Sequence, residues 1–115
     1  MNVRAREKLI VAIAQTDSTF RLDGEHGWVG KCVHCRKKIA VSPTGTTIGS
    51  IEHIVPSSSG GTESLMNLAI ACVSCNNEKG ARVDQRYPDD PRAVEVVEAL
   101  LGERRRRWRE PEDGR

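Results

Sequence analysis

Two short motifs, Cys32-Val33-His34-Cys35 and Cys72-Val73-Ser74-Cys75, hold all four cysteines of this chain. Each C-x-x-C brings two thiolates close enough to share an ion, and two such pairs complete one tetrahedral zinc centre. The gap between them is 36 residues, longer than in a short zinc ribbon, so an inserted element is expected. Disulfides and a C-x-x-C redox site are the alternatives. No secretory signal is read at the start of the chain, which disfavours disulfides. A site of four thiolates has no open coordination position, so this zinc is expected to hold the fold and do no chemistry. His34 is surplus to such a centre and reads as an exposed loop histidine.

A metal staple suits the composition. The chain has 115 residues, and aromatics make up only 3% of them. Small domains bury a modest share of their surface and often need a metal or a disulfide. The reading is a single domain, 1–115: an N-terminal helix and linker (1–21), a zinc-clamped core (22–86), and a basic C-terminal helix and tail (87–115). The longest apolar run, Leu9–Ala14, is far too short to span a bilayer. The net charge of +2 does not announce a nucleic-acid binder. Five of the ten Lys/Arg in residues 61–115 fall in Arg104–Arg109, so any such footprint would be local.

Val3–Gln15 lacks Gly and Pro and carries apolar residues near helical spacing, so it is predicted as a helix. Arg21–Gly30, with three glycines, reads as a loop. Thr46–Val55 is rich in β-branched residues, as strands are. Pro56–Gly61 reads as a flexible loop and Val73–Val83 as a short helix. Arg92–Arg109 is predicted as a second long helix, with Asp90 and Pro91 placed as N-cap and first residue. Glu110–Arg115 reads as a frayed tail.

Between and after the knuckles stand Glu52-His53-Ile54-Val55-Pro56, Gly60-Gly61, Asn67-Leu68 and Asn76-Asn77-Glu78-Lys79-Gly80. In this order, with both cysteine pairs framing the histidine, residues 32–82 resemble the HNH endonuclease family. The resemblance implies an α+β fold: a small ββα-metal unit clamped by a structural zinc on Cys32, Cys35, Cys72 and Cys75, with helices flanking it. One strand would end at Glu52-His53, a loop would run through Gly60-Gly61 and Asn67, and a helix would begin near Cys72–Asn76.

It also implies roles. His53 corresponds to the general base, a task for which imidazole's ordinary pKa of about 6.5 is suited. Glu52 would hold a catalytic divalent ion, where the family more often has Asp or His. Asn76 would be the second ligand, and Gly80 removes a further helical ligand found in some members. With two oxygen ligands the ion would be Mg²⁺ or Mn²⁺, weakly held without substrate. Asn67 would fix the loop that carries the base. Lys79, Arg82 and Arg86 would meet DNA phosphates or form a solvated face. Arg104–Arg109, with Arg105 taken as its contact residue, would track a DNA backbone or end a polar helix with Trp108 on the core. The implied activity is metal-dependent hydrolysis of DNA phosphodiesters in a bacterial or phage-infected cytoplasm. The implied protein partners are a second copy or a terminase-type packaging protein. The other reading is a non-catalytic, zinc-stabilised nucleic-acid-binding or scaffold module.

Overall fold

The protein is described by a computed structural model covering residues 1–111. It opens with helix α1 (Val3–Thr16), capped by Asn2, whose side chain accepts the Ala5 N–H at 2.8 Å. Ile10, Ile13 and Ala14 form its buried stripe. A three-stranded antiparallel sheet follows: β1 (Arg21–Leu22), β2 (Trp28–Lys31) and β3 (Lys38–Val41), in that spatial order. Strands β4 (Ser50–His53) and β5 (Leu68–Ala71) pair antiparallel as a second sheet and lead into helix α2 (Val73–Lys79). A wider turn, Gly80–Asp84, extends α2. Helix α3 (Pro91–Arg106) closes the fold, with the Asp90 side chain accepting the Arg92 N–H at 2.8 Å. The order β4–β5–α2 is the ββα unit, and the fold class is α+β.

Two expectations need correction. Arg21–Gly30 is not a loop, because Leu22 pairs with Trp28 and Arg21 with Val29 across a tight turn. Its glycines mark the turn and a close approach rather than disorder: a β-carbon on Gly30 would strike the ring of Phe20. Of the β-branched run Thr46–Val55, only Ser50–His53 is strand. Propensity there reflects a half-buried surface more than a ladder.

All four residues of β5 are buried, as expected for a strand covered on both faces. Around it gather Ile10, Ile13, Phe20, Ile39, Val41, Ile54, Val97 and Leu100 in one core. Among the described residues no helix is long and apolar enough to cross a membrane. Residues 112–115 of the expected tail lie outside the described residues.

The basic run at the end of α3 also departs from expectation. Arg104 is fully buried. Its Nε donates to Leu68 O (2.7 Å) and Leu65 O (3.2 Å), Nη1 to Thr16 O (2.8 Å), and Nη2 to Thr16 Oγ1 (2.7 Å). Arg109 reaches Ala14 O, Gln15 O and Phe20 O. These two guanidinium groups serve the last carbonyls of α1, together with the Asp17 N–H on Ala14 O and the Arg109 N–H on Thr16 O. Buried Arg107 donates to Lys31 O at 2.8 Å and Cys32 O at 3.3 Å, and pairs with Glu103 at 2.8 Å. Arg104, Arg107 and Arg109 are therefore structural, and Arg105 and Arg106 remain exposed.

Candidate active site

The knuckles converge although they lie far apart in the chain. Val33 N–H donates to Ile70 O, which lays the first knuckle against β5, while the second opens α2 directly after β5. The four sulfur atoms lie within 4.8 Å of one another, with Cys35 and Cys72 Sγ 3.9 Å apart. Tetrahedral zinc with Zn–S bonds of about 2.3 Å requires sulfur separations of about 3.8 Å. Backbone N–H groups of His34 and Cys72 point at Cys32 Sγ, at 3.4 and 3.3 Å. Burial opposes ionisation of Cys32, but backbone donors at Cys35, Cys72 and His34 outweigh it and bring its thiol down to about 7. The Cys75 thiol is pushed up by burial and by the sulfurs beside it. Crowded thiolates of this kind are what a divalent ion stabilises, releasing their protons. The four cysteines are thus positioned to bind a zinc-like ion.

Strand alternation sends Glu52 and His53 to opposite sides of β4. Glu52 faces inward and is 0% exposed. His34 Nε2–H donates to its Oε1 at 2.7 Å, and Lys79 Nζ lies 2.8 Å from its Oε2. The ammonium sits off the hydrogen-bonding direction of Oε2, which has no directed partner. Lys79 also donates to His53 O at 3.1 Å and pairs with Asp84. His53 is 29% exposed at the side chain, and its Nε2–H donates to Glu63 Oε1 at 2.9 Å. A carboxylate only accepts, so this bond leaves the lone pair on Nδ1.

Asn67 is buried and its side chain gathers the loop after His53. Oδ1 accepts Val55 N–H at 2.8 Å, while Nδ2 donates to Val55 O and Thr62 O at 3.1 and 2.9 Å. Gly61 serves the same loop: a β-carbon there would strike the Val55 carbonyl. Asn76, on the α2 face that also carries Cys72, Cys75 and Lys79, donates through Nδ2 to Ser50 Oγ (3.0 Å) and Ile51 O (3.1 Å). Its amide oxygen is the atom left to offer a cation.

The expected phosphate contacts divide. Lys79 is 3% exposed and turned toward Glu52, because it stands seven residues, about two helical turns, after Cys72 on the packed face of α2. Arg82, Arg86 and Arg105 are exposed, and Arg82 pairs loosely with Glu78 at 3.8 Å.

Three participants escaped the sequence reading. His34 is not an exposed loop residue but half-buried against Glu52. Glu63 reaches His53 from the loop after β4, and Asp84 reaches Lys79 from the turn that extends α2. Period-two alternation along β4 turns Glu52 inward and helical spacing along α2 sets Lys79 beside it, a pairing absent from the sequence reading. No local signal marked His34 or Glu63, since both depend on how loops fold back.

A family model described as HNH endonuclease matches residues 32–90, just over half of the chain. No curated protein and no solved structure matches it.

Proposed function

The chain belongs to the HNH endonuclease family, and from that premise we propose that it is a metal-dependent endonuclease hydrolysing phosphodiester bonds of DNA. The observation that carries this reading is His53. It stands at the open end of β4, partly exposed, with Nε2 tied to Glu63 and Nδ1 free to take a proton. A base for water must combine access with a fixed ring, and this histidine has both. Asn67 holds the loop beside it and serves as a positioning residue.

Glu52 and Asn76 are the residues that would hold the catalytic ion. By donor type the set suits Mg²⁺ or Mn²⁺: an amide oxygen, and a carboxylate whose Oε2, now 2.8 Å from the Lys79 ammonium, would exchange that partner for the ion. When bound, such an ion supplies charge stabilisation to the phosphoryl oxygens. Lys79 pairs with one oxygen of the Glu52 carboxylate, and His34 fixes the other. One site per chain nicks one strand, and cutting both would take a second copy or a second event. A role in phage DNA packaging beside a terminase-type protein, or in a mobile element, belongs to this reading.

One observation favours the second reading, a non-catalytic nucleic-acid-binding module. Glu52 is fully buried and enclosed by His34 and Lys79, as a structural ion pair would be. Cleavage of supercoiled plasmid with Mg²⁺ or Mn²⁺ separates the two. The nuclease gives nicked product that disappears with EDTA and with zinc-loaded His53→Ala. The binding module gives no product with either protein.

A further inference from the structure

We propose that the hairpin carrying the first zinc knuckle is the surface that grips the phosphate backbone of duplex DNA, through Lys31, Arg36, Lys37 and Lys38. This rests on the endonuclease reading and assigns its substrate-docking face.

All four side chains are exposed. Lys31 and Lys38 are direct cross-strand partners in the β2–β3 register. Like charges placed directly opposite destabilise a strand pair. Nothing among the described residues relieves them, since none of the eight ion pairs includes Lys31, Arg36, Lys37 or Lys38. Arg36 adds a second unfavourable feature. It is the one non-glycine among the described residues with positive φ, at 66°. Glycine fills such a position without steric strain, whereas a long side chain is strained there. Strain and unrelieved repulsion in one loop mark a site kept for a ligand, and here that ligand must be anionic.

The loop is rigid enough to present these charges. Cys32 N–H donates to Lys37 O at 2.8 Å and Arg36 N–H to Cys32 O at 3.1 Å. It also adjoins the candidate site. His34, 2.7 Å from Glu52, is two residues from Arg36, so their α-carbons are at most about 7 Å apart. Ile48, 84% exposed, lines a cleft with Lys37 and Lys38. An apolar side chain beside cations suits packing against a base step while the cations hold the phosphates.

The test uses zinc-loaded full-length His53→Ala protein, so that DNA is bound and not cut, and fluorescence anisotropy with a labelled duplex across a salt series. Neutralising Lys31, Arg36, Lys37 and Lys38 to Gln is expected to weaken binding at least about tenfold at 100 mM salt. The slope of log K against log salt should fall by about one unit for each phosphate that is no longer neutralised. Arg4→Gln with Lys8→Gln, both exposed on α1, should change binding less than about threefold. Arg36→Gly alone should raise the melting temperature by relieving the backbone, yet weaken binding, a pairing that general misfolding does not produce. Unchanged affinity and slope in the fourfold variant, with zinc content and melting intact, would overturn the proposal and leave the endonuclease reading standing. Absence of DNA binding by the unmodified His53→Ala protein would overturn both. Equal binding of a single strand or of RNA, insensitive to the fourfold change, would also overturn it.

Discussion

The chain has two basic runs, Lys31–Lys38 and Arg104–Arg109, and they are used in opposite ways. In the second, Arg104 and Arg107 point inward and cross-link carbonyls of α1, β2 and β5. In the first, every Lys and Arg points outward, two of them against each other. The denser run holds the structure together and the sparser one faces solvent. What separates them is the supply of acceptors. The end of α1 leaves carbonyls that need donors, and the guanidinium fork serves several at once. The knuckle turns the carbonyls of Cys32 and Lys37 onto its own N–H groups, Arg107 serves Lys31 O and again Cys32 O, and the cations of the first run are left outside every ion pair among the described residues.

Zinc removal is the strongest way to break this contrast. The knuckle presents its cations only while the cysteines are held, and structural zinc contributes on the order of 10 kcal/mol in comparable small sites. A chelator should unfold the ββα unit. Arg107 donates to Cys32 O, so the α1–α3 junction should loosen in the same transition, read by circular dichroism and hydrogen exchange. Protection surviving there would show that the two runs belong to separate cooperative units.

Arg104→Ala comes next. It removes the guanidinium donors of Leu68 O and Thr16 Oγ1 and one of the two donors of Leu65 O and Thr16 O, and should cost about 2–4 kcal/mol in urea denaturation. Lys at this position should not restore it, lacking the fork. His53→Ala should instead leave stability within about 0.5 kcal/mol while reducing plasmid cleavage at least about 100-fold. Lys37→Gln and Lys38→Gln together should change stability by no more than about 0.5 kcal/mol, since the outward run holds nothing in place.

The smallest effect concerns pH. Burial raises the Glu103 carboxyl, but hydrogen bonds from Arg107 and Arg106 outweigh it and hold it below its ordinary 4.5. A carboxylate with a lowered folded pKa adds stability above its unfolded value and loses it as pH falls through the folded one. Glu103→Gln should therefore lower the melting temperature at neutral pH and at pH 9, converge on the unmodified protein at low pH, and so flatten part of the acid limb of the profile.

Much of this was legible in the sequence. The cysteine spacing gave the metal cluster, the ordered motif gave β4–β5–α2, and Asp90-Pro91 gave the start of α3. The direction of a cation was not legible. Arg104 and Arg105 are adjacent and chemically identical, yet one is fully buried and the other exposed. The difference lies in acceptors up to 88 residues away. Glu63 and His34 were missed for the same reason, since each meets its partner through tertiary folding of a loop.

The Arg104 clasp bears on how the protein can be divided. The family match spans residues 32–90, but carbonyls inside that span receive their hydrogens from Arg104 and Arg107, outside it. The same arginines reach back to Thr16 and Asp17. An excised 32–90 fragment would expose β5 and take the arginine donors away from Leu68 O and Cys32 O. The segment that evolution repeats and the segment that folds alone are therefore different lengths of chain: transplanting the motif into another scaffold requires carrying along a helix from each side, or inventing new donors for what they cover.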